Sequence, residues 1–223
     1  NLKVVEDNAQ AIGCKYTFEN GETKSTGTIG DIGTTSFYPS KNLGAYGDGG
    51  AIFTNDSKKS DIYRSIRVHG QGIDKYDNIR VGLNSRLDTI QAAILLNKLK
   101  IFDSELDLRN DIANYYSENL NNNLTIPIVR NNNISSWAQY SVLAGDKIER
   151  KELMEHLNKQ NIPAVIYYRK PFSELDIYKD INNHFFPVSK DCSERIFSIP
   201  MYPYLSNENQ NIVINEIENF YGK

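Results

Sequence analysis

The sequence predicts an α/β chain that ends in a smaller α+β module. In its first part, short apolar runs lie between turns rich in Gly, Asn and Asp, which is typical of strands. Longer segments follow with apolar residues at three- and four-residue spacing, which indicates amphipathic helices. Beyond an asparagine-rich stretch, strand and helix patterns alternate again. The chain has 223 residues, which allows one large domain or two small ones.

Three strands and two helical segments are expected in the first 120 residues. The strands are predicted at residues 2–6, 32–38 and 51–54. The first helix is predicted over Ser57–Val68, because Ile62 and Ile66 share a face. The second is predicted from Leu87 to about Leu120, with a bend near Phe102. Ser85 and Asp88 have the spacing of a capping box at its start.

The remaining residues predict a small α+β domain. Its strands are expected at 137–143 and 164–168, with a further extended segment at 197–199, and its helices at 149–160, 189–196 and 207–220. The asparagine-rich loops at 119–123 and 131–133 suggest a boundary nearby. We therefore predict one domain over residues 1–120 and a second over residues 121–223.

Composition excludes several classes of partner. The net charge is −3 and the pI is about 5.7, so we expect neither nucleic acid nor an anionic membrane as a partner. No apolar run approaches the roughly 18 residues that a membrane span needs.

Cys14 and Cys192 are far apart in the sequence, which favours a reduced, cytoplasmic protein. The chain begins at Asn1 and enters a strand pattern at once, so we expect it to be the C-terminal part of a longer protein.

Lys41 is the most informative residue for function. It follows a predicted strand, and a proline and four glycines lie close to it, so a turn constrains it. A constrained lysine can form an imine with a carbonyl compound, whereas a surface lysine on a turn has no special role. Ser36, five residues earlier, could bind a phosphate beside the amine.

Asp7 closes the first predicted strand. It could simply cap the following turn. A carboxylate at the carboxyl end of a strand in an α/β sheet also points into the crevice where such sheets bind ligands. There it could keep a pyridinium nitrogen protonated, which makes the ring an electron sink. Asp7 and Lys41 together provide the minimum set for chemistry with pyridoxal phosphate (PLP).

Several separate motifs then resemble one family. They are Glu6-Asp7-Asn8-Ala9-Gln10-Ala11-Ile12-Gly13, Ser36-Phe37-Tyr38-Pro39-Ser40-Lys41-Asn42-Leu43-Gly44, Gly47-Asp48-Gly49-Gly50-Ala51, Asn84-Ser85-Arg86-Leu87-Asp88 and Gln91-Ala92-Ala93. In this order they resemble the DegT/DnrJ/EryC1/StrS family of PLP-dependent nucleotide-sugar aminotransferases. The resemblance covers nearly the whole chain. It implies the type I (aspartate-aminotransferase-like) PLP fold, here a partial large domain followed by the small α+β domain.

The resemblance also implies roles for individual residues. Lys41 is expected to form the Schiff base with PLP, and Asp7 to pair with the pyridine nitrogen. Gln10 is expected against the ring or near its phenolic oxygen. Ser36 is expected at the cofactor phosphate, and Asn84 at the phosphate bound by the neighbouring subunit of a homodimer with shared active sites.

Substrate contacts are expected from Arg86, Tyr167 and Tyr168. Arg86 matches a position that can contact the nucleotide-sugar, although a surface ion pair would also explain it. Tyr167 and Tyr168 open a stretch similar to one near the sugar in the family, but Arg169 stands where a proline is common. Packing at the surface of the domain is the alternative for the tyrosines. His69 is either a substrate contact or a structural residue, and no metal site is expected.

The expected function is transfer of an amino group from L-glutamate to a nucleotide-linked keto-sugar, for amino-sugar and surface-polysaccharide synthesis. The motifs favour the 3-amino sugars. Lys41 argues against the related branch of the family that has histidine there and catalyses dehydration. The alternative is a truncated, catalytically incompetent remnant or interaction subunit, since the family's upstream part, with a helix N-terminus that binds the phosphate, does not appear in this sequence. Low solubility or association of the isolated chain is expected as well.

Overall fold

A computed structural model of the chain describes residues 2–120, 123–178 and 186–222. Contacts divide the chain into two compact units, and each is described by itself. The first unit is Asn1–Leu106 with Arg130–Ala138, and the second is Asp107–Val129 with Gln139–Lys223.

Strands and helices alternate along the described residues. The strands are β1 (Val5–Asp7), β2 (Lys15–Thr17), β3 (Thr23–Ser25), β4 (Ile32–Ser36), β5 (Gly50–Phe53), β6 (Tyr140–Leu143) and β7 (Ile196–Ile199). The α-helices are α1 (Ser57–Ile66), α2 (Thr89–Lys98), α3 (Phe102–Asn119), α4 (Lys147–Lys159), α5 (Pro187–Arg195) and α6 (Asn207–Phe220). Two short 3-10 turns, Phe172–Glu174 and Asp176–Tyr178, lie between α4 and α5.

The sheet of the first unit has the order β1-β4-β5. β1 and β4 are parallel, with Asp7 opposite Thr34, whereas β5 runs antiparallel to β4. Burial alternates along β4, where Gly33 and Thr35 are buried and Thr34 and Ser36 are half-buried. Because successive side chains of a strand point to opposite faces, the sheet has a buried face and an open face.

The open face carries both polar and apolar side chains. Asp7, Thr34 and Ile52 are register partners and therefore share this face, and Val5 and Ser36 lie two residues along their strands on the same side. The side chains of Val5 and Ile52 are 63% and 54% exposed. Exposed apolar side chains beside a carboxylate and a hydroxyl are typical of a surface that another molecule covers.

An apolar core holds the segment after β4 against the helices that follow it. Its buried residues are Leu43, Ala45, Leu95, Phe102 and Leu106. Ile12, Phe37 and Leu87 pack against this cluster. The core therefore links the Lys41 segment to α2 and the first turn of α3.

The hairpin β2–β3 is a feature that the sequence analysis missed. Its strands have only three residues each and lack an apolar run, so no period-2 pattern marks them. Lys15 exchanges backbone hydrogen bonds with Ile134, at N–O distances of 2.9 and 3.0 Å. This pairing explains why Arg130–Ala138 belongs to the first unit.

Helix α2 begins differently from the prediction. Its N-cap is Asp88, whose side chain makes no cap hydrogen bond, so the proposed Ser85–Asp88 capping box is wrong. The single bent helix predicted from Leu87 to about Leu120 is two helices in the structure, since α2 ends at Lys98 and α3 begins at Phe102.

The second unit has an antiparallel β6–β7 pair and a core of large side chains. Tyr116, Tyr140, Leu153, Leu157, Phe197 and Ile217 are fully buried. Asp146 caps α4 by accepting hydrogen bonds from the amides of Ile148 and Glu149. The strand predicted at 164–168 reduces to a single bridge between Val165 and Ser198.

The contact-based units differ from the predicted division after residue 120. Helix α3 crosses the division at Leu106, because its first turn contributes Phe102 and Leu106 to the core of the first unit. The domains 1–120 and 121–223 stay a prediction. Within the described ranges, no helix combines the length and apolar character needed to cross a lipid bilayer.

Candidate active site

Asp7 and Ser36 end two neighbouring parallel strands on the same face of the sheet. Asp7 is the last residue of β1 and Ser36 is the last residue of β4. The carboxyl ends of parallel strands lie at one edge of a sheet, so this carboxylate and this hydroxyl lie at the same edge. Asp7 is exposed, and its Oδ1 accepts a hydrogen bond from the amide of Ala9 at 3.1 Å.

Lys41 lies in a closed turn that begins directly after β4. The Lys41 amide donates to the carbonyl of Tyr38 at 2.9 Å. Phe37 closes the segment from both sides, because its amide donates to Gly49 O and its carbonyl accepts from the amide of Ala45, each at 2.8 Å. Lys41 itself is half-buried. The turn is therefore constrained, as the sequence predicted.

Glycine is required at position 44 because the backbone approaches itself there. A Cβ atom at Gly44 would lie 2.4 Å from the carbonyl oxygen of Pro39 and 2.8 Å from that of Tyr38. Gly44 is also held from outside, since Lys98 Nζ donates to its carbonyl at 2.6 Å. The neighbours Leu43 and Ala45 are only 3% and 1% exposed, so the turn is anchored in the core.

Two further contacts fix the Lys41 segment. Gln91 on α2 accepts a hydrogen bond from the amide of Tyr46 at 2.8 Å. Asn42 Nδ2 donates to the carbonyl of Ser136 at 2.5 Å, and Ser136 Oγ donates to the carbonyl of Gln10 at 2.8 Å. The backbone of Gln10 is thus connected to the lysine turn through one residue. These contacts involve only the backbone of Gln10, so the predicted contact of its side chain with the cofactor stays a prediction.

Asn84 and Arg86 lie close together in a compact lobe formed by residues 68–86. Arg86 Nε donates to Asn84 Oδ1 at 3.1 Å, and both residues are exposed. Arg86 also lines an open hollow of about 530 Å³. Other residues that line this hollow are His69, Lys75, Tyr76 and Asn78.

His69 has a left-handed backbone with φ 59°. Its amide donates to Leu83 O at 2.9 Å, and its carbonyl accepts from Asn78 Nδ2 at 2.9 Å. The lobe is tight here, since a Cβ atom at Gly70 would lie 1.7 Å from Arg80 O. These contacts give the backbone of His69 a structural role, and the residue also lines the open hollow.

Tyr167 and Tyr168 belong to the second unit. Their rings meet edge to face at 5.9 Å, and their side chains are 41% and 67% exposed. The peptide bond between them is cis. Both tyrosines therefore present aromatic surface to solvent, and their assignment to the substrate stays a prediction.

Glu6, Asn8 and Gln91 have no role predicted from the sequence. Each makes hydrogen bonds that hold a predicted site residue or its segment. Glu6 and Asn8 flank Asp7 directly, which is the signal that could have found them. Gln91 is 50 residues beyond Lys41 in the chain, and only the fold brings the two segments together. Within the part of the chain that the structure describes, no group of three or more His, Cys, Asp or Glu side chains is arranged to hold a metal ion.

Known proteins resemble this chain over nearly its whole length. The model of the DegT/DnrJ/EryC1/StrS aminotransferase family matches residues 1–218. UDP-2-acetamido-2-deoxy-3-oxo-D-glucuronate aminotransferase from Pseudomonas aeruginosa is 38% identical over 98% of the chain. dTDP-3-amino-3,6-dideoxy-alpha-D-galactopyranose transaminase from Aneurinibacillus thermoaerophilus is 39% identical over 100% of it.

Solved structures agree with these relatives. A DegT DnrJ EryC1 StrS aminotransferase from Brucella abortus superimposes with a TM-score of 0.92 and 46% identity, over 100% of this chain and 58% of its own. This chain spans 58% of the Pseudomonas relative and 59% of the Aneurinibacillus relative. The predicted type I fold is confirmed, and so is the predicted cofactor, because PLP is the cofactor of this family. The chain belongs to the DegT/DnrJ/EryC1/StrS aminotransferase family.

Proposed function

We propose that this chain forms part of an enzyme that transfers an amino group from L-glutamate to a nucleotide-linked keto-sugar. The observation that carries the proposal is that Asp7 and Ser36 end two neighbouring parallel strands on one face of the sheet, and that the constrained turn with Lys41 follows β4 directly. The names of the relatives support the substrate class, since they specify UDP- and dTDP-linked sugars. The product would serve amino-sugar and surface-polysaccharide synthesis.

The candidate site residues fit PLP. Asp7 is exposed on that face, where a carboxylate can hold a proton on the pyridine nitrogen. The hydroxyl of Ser36 and the amide of Asn84 suit a phosphate, and the amine of Lys41 suits a covalent bond to an aldehyde. Gln10 follows Asp7 by three residues and would lie beside the ring. PLP, when bound, supplies an electron sink for the negative charge left when a proton is removed.

Lys41 has two successive tasks in this proposal. Its amine would hold the cofactor until the amino group of L-glutamate replaces it. The released amine would then be the general base that takes the proton from the α-carbon of glutamate, which leaves as 2-oxoglutarate, and in the second half of the reaction it would give a proton to the aminated carbon of the sugar. Hydrogen bonds at Phe37 and Gly44 hold the turn, so the amine stays close to the reacting carbon.

Arg86, Tyr167 and Tyr168 are the proposed substrate contacts. Arg86 is exposed beside the open hollow and could bind the diphosphate of the nucleotide. The exposed rings of Tyr167 and Tyr168 could pack against the sugar. We assign the keto group to ring carbon 3, because the names of the Pseudomonas and Aneurinibacillus relatives specify that position. A panel of nucleotide-linked 3-keto and 4-keto sugars tests this, and amination of a 4-keto sugar alone would contradict it.

A homodimer with shared active sites also belongs to the proposal, with Asn84 at the cofactor phosphate of the neighbouring subunit. Apolar side chains of the first unit support a second copy as the partner. Ile90, Ala93 and Leu96 are exposed at three-residue spacing along α2, the opposite face of which buries Leu95. A helix that is apolar on both faces is normally buried on both.

The dimer can be tested by sedimentation equilibrium of the Leu96→Glu variant. We expect Leu96→Glu to weaken association, because a charge would be buried in an apolar contact. Ile148→Glu is the matched control, since Ile148 is equally exposed on α4, at 68% against 65% for Leu96. A Leu96→Glu protein that associates like the wild type would contradict this surface.

The function is tested by trapping PLP on the protein. Borohydride reduction followed by peptide mass mapping is expected to place the cofactor on Lys41. Lys41→Ala should lose both the visible absorbance of bound PLP and the amino transfer, whereas Lys58→Ala, at an exposed lysine of α1, should keep both. A label on another lysine, or transfer by Lys41→Ala, would refute the assignment.

The alternative function is a catalytically incompetent remnant or interaction subunit. One observation favours it, since apolar side chains are exposed on the face that carries Asp7, as on a surface that another chain covers. PLP titration of the 223-residue chain beside the complete gene product separates the two. Binding by both supports the enzyme, and binding by neither supports the remnant. We place the protein in the cytoplasm, where Cys14 and Cys192 would stay reduced, since both are free.

A further inference from the structure

Glu6 and Asn8 hold the turn over residues 26–30 from the opposite face of the sheet to Asp7. The Glu6 carboxylate accepts hydrogen bonds from the amides of Gly27, Ile29 and Gly30, at 2.7, 2.6 and 2.5 Å. Carboxylates that accept several backbone N–H bonds form strong, directional contacts. Glu6 is therefore bound tightly to this turn.

Asn8 adds a second attachment to the same turn. It is 2% exposed, and its Oδ1 accepts a hydrogen bond from Thr26 Oγ1 at 2.7 Å. The amide of Asn8 donates to Thr34 O at 2.8 Å, so the β1–β4 ladder continues past Asp7. Gly27 touches Asn8 closely, since a Cβ atom at Gly27 would lie 2.9 Å from Asn8 Nδ2.

The turn also lies directly against β4. A Cβ atom at Gly33 would be 1.9 Å from the carbonyl oxygen of Gly27, so only glycine fits there. Two threonine hydroxyls also join β4 to the backbone of residues 6 and 8, since Thr34 Oγ1 donates to Glu6 O and Thr35 Oγ1 donates to Asn8 O. We call Glu6, Asn8 and the turn over residues 26–30 the turn clamp.

We propose that the turn clamp positions Asp7 for the cofactor, an inference that rests on the proposed function. Residues on either side of a strand residue point to the opposite face. With Glu6 and Asn8 both fixed on the buried face, the strand cannot rotate, and Asp7 must point to the open face that carries Ser36. Glu6 and Asn8 touch neither substrate nor cofactor in this proposal, so they are positioning residues.

The charge of Glu6 is consistent with this role. Burial raises the pKa of the Glu6 carboxyl, but the three backbone N–H groups lower it more, and the net pKa lies below its ordinary value. Glu6 therefore stays an anion at neutral pH and accepts all three bonds. The neutral amide of glutamine cannot replace it, because its NH2 group would face backbone donors.

The test compares Glu6→Gln with Asp31→Asn. Asp31 is the matched control because its carboxylate also accepts a backbone N–H of this sheet, that of Val4 at 3.0 Å, but at the opposite end of β1. Thermal unfolding measures the structural cost of each change. Thr26→Val, which removes the hydroxyl bound to Asn8, gives a second and milder variant if Glu6→Gln fails to fold.

The first measurement needs no cofactor. Hydrogen exchange of the Ala9 amide, which donates to Asp7, reports whether the carboxylate is held. We expect this exchange to accelerate about tenfold in Glu6→Gln or Thr26→Val and to stay unchanged in Asp31→Asn. Equal acceleration in all variants, or none in Glu6→Gln and Thr26→Val, would overturn the clamp.

The second measurement uses PLP itself, in the complete gene product. We expect Glu6→Gln to raise the dissociation constant of PLP about tenfold and to shift the pH dependence of its visible absorbance, because a displaced Asp7 holds the ring proton less well. Asp31→Asn should change neither. Unchanged affinity and absorbance in Glu6→Gln would overturn the positioning role. If the wild type fails to bind PLP, the proposed function is refuted. The hydrogen exchange of the Ala9 amide would still show whether the turn clamp holds Asp7.

Discussion

Gly44→Ala is expected to displace the turn that carries Lys41. The added Cβ atom would lie 2.4 Å from the carbonyl oxygen of Pro39. An ordinary contact begins at 3.4 Å, so Pro39 and residue 44 must separate by about 1 Å. Lys41 is midway between them and moves with the segment. The end at residue 44 cannot yield freely, since Lys98 holds the Gly44 carbonyl and Ala45 is buried, so the displacement falls on the segment from Pro39 to Lys41.

The size of the effect follows from this displacement. Overpacking of this kind lowers the free energy of unfolding by about 1–3 kcal/mol. Misplacement of a reacting group by 1 Å costs about 100-fold in rate, or about 2.7 kcal/mol of activation free energy. We therefore expect kcat/KM to fall about 100-fold, and the rate at which PLP becomes attached to Lys41 to fall with it.

Urea unfolding, stopped-flow absorbance with PLP and steady-state kinetics measure these three quantities in the complete gene product. Gly21→Ala is the matched control: its φ is +84° and no atom lies within 4 Å of the added Cβ. That change strains the backbone by about 1–2 kcal/mol but is far in sequence from Lys41 and outside its turn. Wild-type kinetics in Gly44→Ala, or an equal loss in Gly21→Ala, would refute the reasoning.

Two further predictions concern stability. Leu153→Ala should lower the free energy of unfolding, measured by urea titration, by about 2–5 kcal/mol, because Leu153 is 0% exposed. The control is Ile148→Ala on the same helix. Ile148 is 68% exposed, so this variant should stay within about 0.5 kcal/mol of the wild type. Because the folded pKa of Glu6 lies below its ordinary value of 4.5, its carboxylate stabilises the fold above pH 4.5, and this contribution is lost as the pH falls further. Glu6→Gln should therefore be less stable than the wild type at pH 7, and the difference should shrink between pH 4.5 and pH 3; a constant difference over that range would contradict the assignment.

The order of the motifs along the chain predicted the local features on which the candidate site is built. A strand ending at Asp7 and another ending near Ser36 are both present, and the constrained turn at Lys41 follows directly. These features are local, so propensity and turn chemistry could indicate them. The β2–β3 hairpin escaped detection because its short strands are stabilised by pairing with each other and with Ile134, which no local pattern records.

The predicted strand at 164–168 shows the same limitation. The segment Ala164–Tyr168 contains β-branched and aromatic residues. Within the described residues, however, its β-pairing is a single bridge between Val165 and Ser198. Strand formation depends on a neighbour with free backbone groups, and sequence pattern does not supply one.

The sequence by itself determined the family, the cofactor and the order of the site residues along the chain. Tertiary structure alone decided which face of the sheet Asp7 and Ser36 share, and that Gln91 and Lys98 hold the lysine turn. It also showed that Glu6 and Asn8 are fixed on the face opposite Asp7. The physical reason is that strand register and helix packing join residues tens of positions apart, and the direction of a side chain depends on those contacts rather than on its own neighbours in sequence.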